Sequence, residues 1–233
     1  MTQSQSVGLT PVQWIAARAT LGDDLKPVLD ASPDPGALVQ SLVNDGKHAE
    51  AIRCLAGALP VREGIWWAWV SARHTAQLVY AGGLPPLLRL ALDGVEKWIN
   101  TPSDEARRSA WSAGDALGVG TPTGAAAAAV FMSGGSLALP SAPITPPPPG
   151  IAGAMVSTSV ILAVASAPPE QLNALYDAYV KQGLAIVEQL GGWESAIGKT
   201  WHALDAQQQE YQQFTAANAP PPSAPAPTEG VSA

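Results

Sequence analysis

The chain has 233 residues, 47% of them hydrophobic, enough to bury a core in one medium domain or two small ones. A formal charge of −7 with twelve Lys plus Arg lacks the basic footprint that nucleic acid or an anionic membrane surface demands. The single cysteine, Cys54, excludes an internal disulfide and fits a reducing compartment, and no secretory leader is read at the first residues, so the cytoplasm is the expected location.

Thr10-Pro11 is a helix start, a capping Thr before a Pro at the first helical position. Val12, Ile15, Ala16 and Ala19 supply its apolar stripe, with Trp14 beside them. Asp34-Pro35 repeats the signal, and Leu38, Leu42 and Val43 carry the next apolar face up to the Asn44-Asp45-Gly46 break. Lys47 to Leu59 forms a further helix with Ala51, Ile52, Leu55 and Leu59 on one side, and Pro60 ends it.

Val61 to Tyr80 follows and holds Trp66, Trp67 and Trp69. At helical spacing it is apolar nearly all round, the pattern of a buried helix, so it is expected to be the central one. Gly82-Gly83 and Pro85-Pro86 make a hard turn into the amphipathic stretch Leu87–Asn100, with Leu88, Ala91, Leu92, Val95 and Trp98/Ile99 inward. Thr101-Pro102-Ser103-Asp104 reads as an N-cap with an acid three residues on, opening a helix that runs to Gly118. Thr121-Pro122 starts another, carrying Ala125 to Met132.

Between Asp115 and Glu170 no residue is charged. Ser133–Ser136 and Pro146–Pro149 break regular structure and imply an extended, polyproline-like crossing, either a hinge or a packed strap. Ile151 to Ala167 is just long enough to span a bilayer, but its hydroxyls and the absence of basic or aromatic anchors favour a buried helix. Pro168-Pro169-Glu170 opens a long helix through Leu190, stopped by Gly191-Gly192, and a more polar one lies within Trp193–Asn218. From Pro220 the composition is that of a disordered tail. No segment alternates with period two. The expected fold is all-α, an irregular helical bundle: an N-terminal lobe over residues 1–132, a Gly/Pro-rich linker over 133–150, a C-terminal lobe over 151–218 packed on the first, and a tail over 219–233.

Chemistry-bearing patterns are sparse. His48, His74 and His202 fall in three separate helices with no second ligand at metal spacing, and there is no HExxH, P-loop or GxSxG. No metal, cofactor or catalytic residue is expected, and Cys54 reads as a small core hydrophobe. The suggestive feature is Arg73 within the tryptophan helix. A buried charge needs a partner, so Arg73 should find a carboxylate, with Asp93, Asp104, Glu105 and Asp115 as candidates. The sharper reading is a cleft lined by Trp66, Trp69, Arg73 and Tyr80 that takes an acidic or aromatic group of a partner.

Trp66-Trp67-Ala68 followed by Ser71-Ala72-Arg73, the segment Pro102–Arg108, and Val130–Leu137 ahead of a proline run resemble an uncharacterised bacterial family of small helical proteins. The resemblance covers roughly Ala51 to Ala165, and such proteins are similar to accessory components of type VI secretion loci. It implies an adaptor or chaperone and carries over no catalytic residue. The expected function is a non-catalytic interaction module binding another protein, with a docking surface in the uncharged region Ala116–Pro169. The alternative is a small-molecule binder or enzyme with a pocket beside the tryptophan helix. An inner-membrane protein using Ile151 to Ala167 is the third.

Overall fold

The computed structural model describes residues 8–218. The expected tail over 219–233 and the first seven residues of the 1–14 stretch in which no leader is read lie outside them. Among the described residues the fold is all-α, with eleven α-helices, two single 3₁₀ turns and no strand. In chain order the helices are α1 (Pro11–Arg18), α2 (Lys26–Ala31), α3 (Pro35–Asn44), α4 (His48–Ala58), α5 (Val61–Val79) and α6 (Pro86–Asn100). They continue as α7 (Asp104–Leu117), α8 (Pro122–Phe131), α9 (Ile151–Ala165), α10 (Leu172–Gln189) and α11 (Trp193–Ala217).

The caps do what the sequence asks of them at three starts. Thr10 and Gln13 form a reciprocal capping box on α1, and Asp34 and Thr121 cap α3 and α8 through their side chains. At α7 the expectation shifts by two residues. Thr101 is used to close α6, its N–H on the Lys97 carbonyl, so Ser103 becomes the cap and accepts from the Ala106 N–H at 3.1 Å. Asp104 is then free of capping and turns to two arginines instead. Helix α2 carried no legible signal, being six residues long with no buried face.

One apolar core runs from Val12 in α1 to Ile197 in α11. Within it α8 is the helix enclosed on every side: each residue from Thr123 to Val130 is buried. Its alanines and glycines let neighbours approach closely. A Cβ on Gly114 of α7 would collide with the Ala127 methyl, and one on Gly124 with the Gly118 carbonyl. Helix α9 packs against α8, α5 and α4. No single helix among the described residues is long and apolar enough to cross a membrane.

Helix α5 differs from its expected all-round burial. Ile65, Trp67, Ala68 and Trp69 are buried, but Arg73, His74, Gln77 and the last residues face solvent. The reason lies in the two inward indoles. Trp67 donates its N–H to the Tyr179 carbonyl of α10 (3.1 Å) and Trp69 to the Leu92 carbonyl of α6 (3.0 Å), which orients the opposite side of the helix outward. The Tyr179 carbonyl is reachable because Gly183 stands one turn later; a Cβ there would meet the Trp67 ring at 3.0 Å.

The segment between α8 and α9 is a packed strap with a pinned loop. Phe131 is stacked between Trp111 and the Arg107 guanidinium, which is buried and donates to the Phe131 and Ser136 carbonyls at 2.6 and 2.8 Å. Arg108 donates to the same Ser136 carbonyl at 2.9 Å. Asp104 accepts from both arginines, and those bonds, Arg107's first, hold its carboxyl below the usual carboxylate range. The Ser136 hydroxyl oxygen accepts from the Ala138 and Thr145 amides, and Leu137 N–H bonds the Thr145 carbonyl, so the loop closes on one serine. Pro146 and Pro147 are buried.

Candidate functional site

Helix ends converge at one end of the bundle. Helix α5 stops at Tyr80, and Gly83, at φ +119°, reverses the chain toward Pro85 and α6. Nearby, Thr121 donates to the Gly118 carbonyl while capping Gly124, tightening the turn between α7 and α8. These ends enclose a cavity of ≈ 360 Å³. Its wall is made by Ala72, Thr75, Ala76, Val79 and Tyr80 of α5 and its cap, Pro85, Leu87 and Leu88 of α6 and its cap, Leu117, Thr121 to Thr123, and Ser166. No carboxylate, lysine, arginine, histidine or cysteine lies in that wall.

The rim continues the apolar character outward. Val79, Tyr80, Leu87 and Leu90 are exposed, Leu90 at 60%. Leu87 also belongs to a second depression of ≈ 380 Å³ between α6 and α7, floored by Gly94, Ser109, Ser112 and Ala113 and edged by Asp93 and Lys97. Gly94 sits so close to α7 that a Cβ would lie 3.1 Å from the Ala110 Cα. The result is one apolar surface: a cavity at the bundle end, a shared leucine, and a shallow groove over small residues. Clustered exposed aliphatics of this kind mark interaction sites more often than lone ones do.

The four residues expected to form a cleft divide. Tyr80 borders the cavity; Trp66, Trp69 and Arg73 are not part of its wall. Trp66 is 38% exposed on the surface of α5. Arg73 is not buried against a carboxylate as expected. It lies exposed with its guanidinium 5.0 Å from the Trp69 ring centre, and none of Asp93, Asp104, Glu105 or Asp115 pairs with it. The ring face supplies the electrostatic partner the carboxylate was to provide, at lower desolvation cost in the open. The leucines that join the cavity to the groove were missed because Leu87 and Leu90 fall off the inward stripe of α6. Two leucines three apart on an otherwise charged face were the available signal.

Titratable groups elsewhere are held in structural roles. Tyr179 donates to the Ser71 carbonyl (3.1 Å) and pairs with Thr75 Oγ1 (2.7 Å) and His74 Nδ1 (3.1 Å), and burial pushes its hydroxyl pKa up. His48 stacks on Tyr176 beside Asp177. The Cys54 thiol is buried and pushed up to about 12 by desolvation, too high for a ready thiolate. Among the described residues no three of His, Cys, Asp and Glu gather where a metal could sit.

The fold and site thus describe an all-α bundle with an uncharged apolar cavity opening onto a groove. The chain belongs to a family of unknown function, DUF6931, whose model matches residues 38–187, from α3 to α10. No curated protein and no solved structure matches it.

Proposed function

We propose that the chain is a non-catalytic protein-interaction module, an adaptor or chaperone that works in the cytoplasm and seats the apolar face of an amphipathic helix from another protein. The observation that carries this reading is the continuity of the ≈ 360 Å³ cavity with the α6–α7 groove through the exposed Leu87. A floor of Gly94, Ser109, Ser112 and Ala113 leaves room for a helix to lie along the groove, and the cavity takes an anchoring side chain. The uncharged wall offers neither an acid nor a base for catalysis. Likeness to accessory proteins of bacterial type VI secretion loci, carried by the Trp66–Ala68, Pro102–Arg108 and Val130–Leu137 segments, makes a secretion component the partner we favour.

A second reading, a small apolar ligand in the cavity, is favoured by its size, which lies within the range of small-molecule pockets. Capture of the tagged chain from its host, beside a Val79→Glu/Leu87→Glu variant, separates the two. Both positions are exposed, so the variant keeps the fold. The module reading predicts one stoichiometric protein retained by the wild type and lost by the variant. Loss of no protein, together with a small molecule released from the wild type on denaturation, would favour the second reading.

A further inference from the structure

A second cavity, of ≈ 180 Å³, lies between α1, α4 and the start of α9. Two of the chain's twelve basic residues, Arg18 and Arg53, line it, and no Asp or Glu does. Arg18 gives its Nε–H to the Gly57 carbonyl at the end of α4 (2.9 Å) and stacks on Trp14. Its outer nitrogens lie against the first turn of α9, in the stretch without charge: a Cβ on Gly150 would be 3.2 Å from Nη1, and one on Gly153 3.6 Å from Nη2. Those two nitrogens have no protein acceptor among the described residues. Arg53 gives Nη2 to Glu50 (3.0 Å), while its Nε is buried without a partner.

This arrangement leaves its positive charge only partly compensated. A guanidinium keeps its charge in any protein, and desolvation of the half-buried Arg18 draws its pKa down to about 10. Acids are abundant in a chain of net charge −7, yet the one at this cavity's edge, Glu50, pairs with Arg53, and none pairs with Arg18 among the described residues. The start of α9 adds to the imbalance, because Gly150 caps it with no side chain and its dipole presents the positive end. The Ser157 and Thr158 hydroxyls donate to the Ala154 carbonyl (2.9 and 2.8 Å) and can turn into the cavity.

We propose that this cleft binds a phosphate group, free or on a small phosphorylated metabolite, between Arg18, Arg53 and the first turn of α9. An oxyanion accepts a forked pair of hydrogen bonds from a guanidinium, and its charge offsets Arg18, the part of Arg53 that Glu50 leaves, and the helix terminus together. The site is separate from the groove proposed for a protein partner, so either can fail alone.

Calorimetric titration of the full chain with inorganic phosphate, in phosphate-free buffer, tests this. The wild type should show saturable one-site binding. Arg53→Gln should weaken it by about tenfold or more. Ala154→Glu adds a carboxylate at an exposed position of the cavity wall. It should abolish phosphate binding and raise the Tm measured without phosphate. Glycerol 3-phosphate binding more tightly than inorganic phosphate assigns the site to a metabolite, and equal affinity to the free ion. No saturable binding at millimolar phosphate, or binding that neither variant alters, would overturn the proposal.

Discussion

Trp67→Ala should cost the fold about 3–5 kcal/mol, the range for removing a large buried aromatic side chain. Trp67 is fully buried, touches the space left by Gly183, and makes the one indole hydrogen bond that ties α5 to α10. The same α5–α10 contact holds the Tyr179 hydroxyl beside Ser71, His74 and Thr75, so the loss spreads along both helices. Trp67→Phe keeps most of the ring and leaves the Tyr179 carbonyl with its helical partner, so it should cost about 1 kcal/mol for the hydrogen bond and more only for lost packing. Urea denaturation of the three proteins measures both. Equal midpoints for the wild type and the alanine variant would remove Trp67 as a core element.

Arg107→Met should destabilise by about 3 kcal/mol and loosen the strap. It removes charge-assisted hydrogen bonds to the Phe131 and Ser136 carbonyls and one of the two arginine partners of the exposed Asp104. Arg108 still reaches Ser136, so the loop should loosen without leaving its site. Arg107→Lys should fall near the methionine variant, since an ammonium cannot fork between two carbonyls and a carboxylate. Limited proteolysis reads the strap directly: cleavage near the exposed Leu139 and Ile144 should speed up in both variants. An unchanged cleavage rate would mean that the Ser136 turn, rather than the arginines, fixes the loop.

Much of the helical order was legible from punctuation. Thr-Pro and Asp-Pro starts, paired glycines and the charge-free span between Asp115 and Glu170 placed the helices within a few residues. What failed was inference from one helix to its surroundings. Composition made α5 look enclosed, yet enclosure depends on which neighbours the indoles reach, and that is a long-range fact. The fully enclosed helix is α8, whose run of five alanines gives no amphipathic face to read. Proline and glycine suggested either a hinge or a strap; the strap depended on Arg107 and Arg108, which look like surface charges in sequence.

The candidate site was legible only at its edge. Tyr80 was singled out and does border the cavity, but Trp69 and Arg73 pair with each other, and the groove is built by helix ends that no local pattern brings together. The two arginines of the second cleft stand far apart in the chain and meet only through the packing of α1 on α4.

The proposed function requires another protein to dock across Leu87. A photo-crosslinking amino acid at Leu87, and a control at the exposed Gln208 of α11, tests it in the living host. Docking there predicts a crosslink from Leu87 to one protein, mapping to an amphipathic helix of that partner, and none to it from Gln208. No crosslink from Leu87, or the same products from both positions, would contradict it.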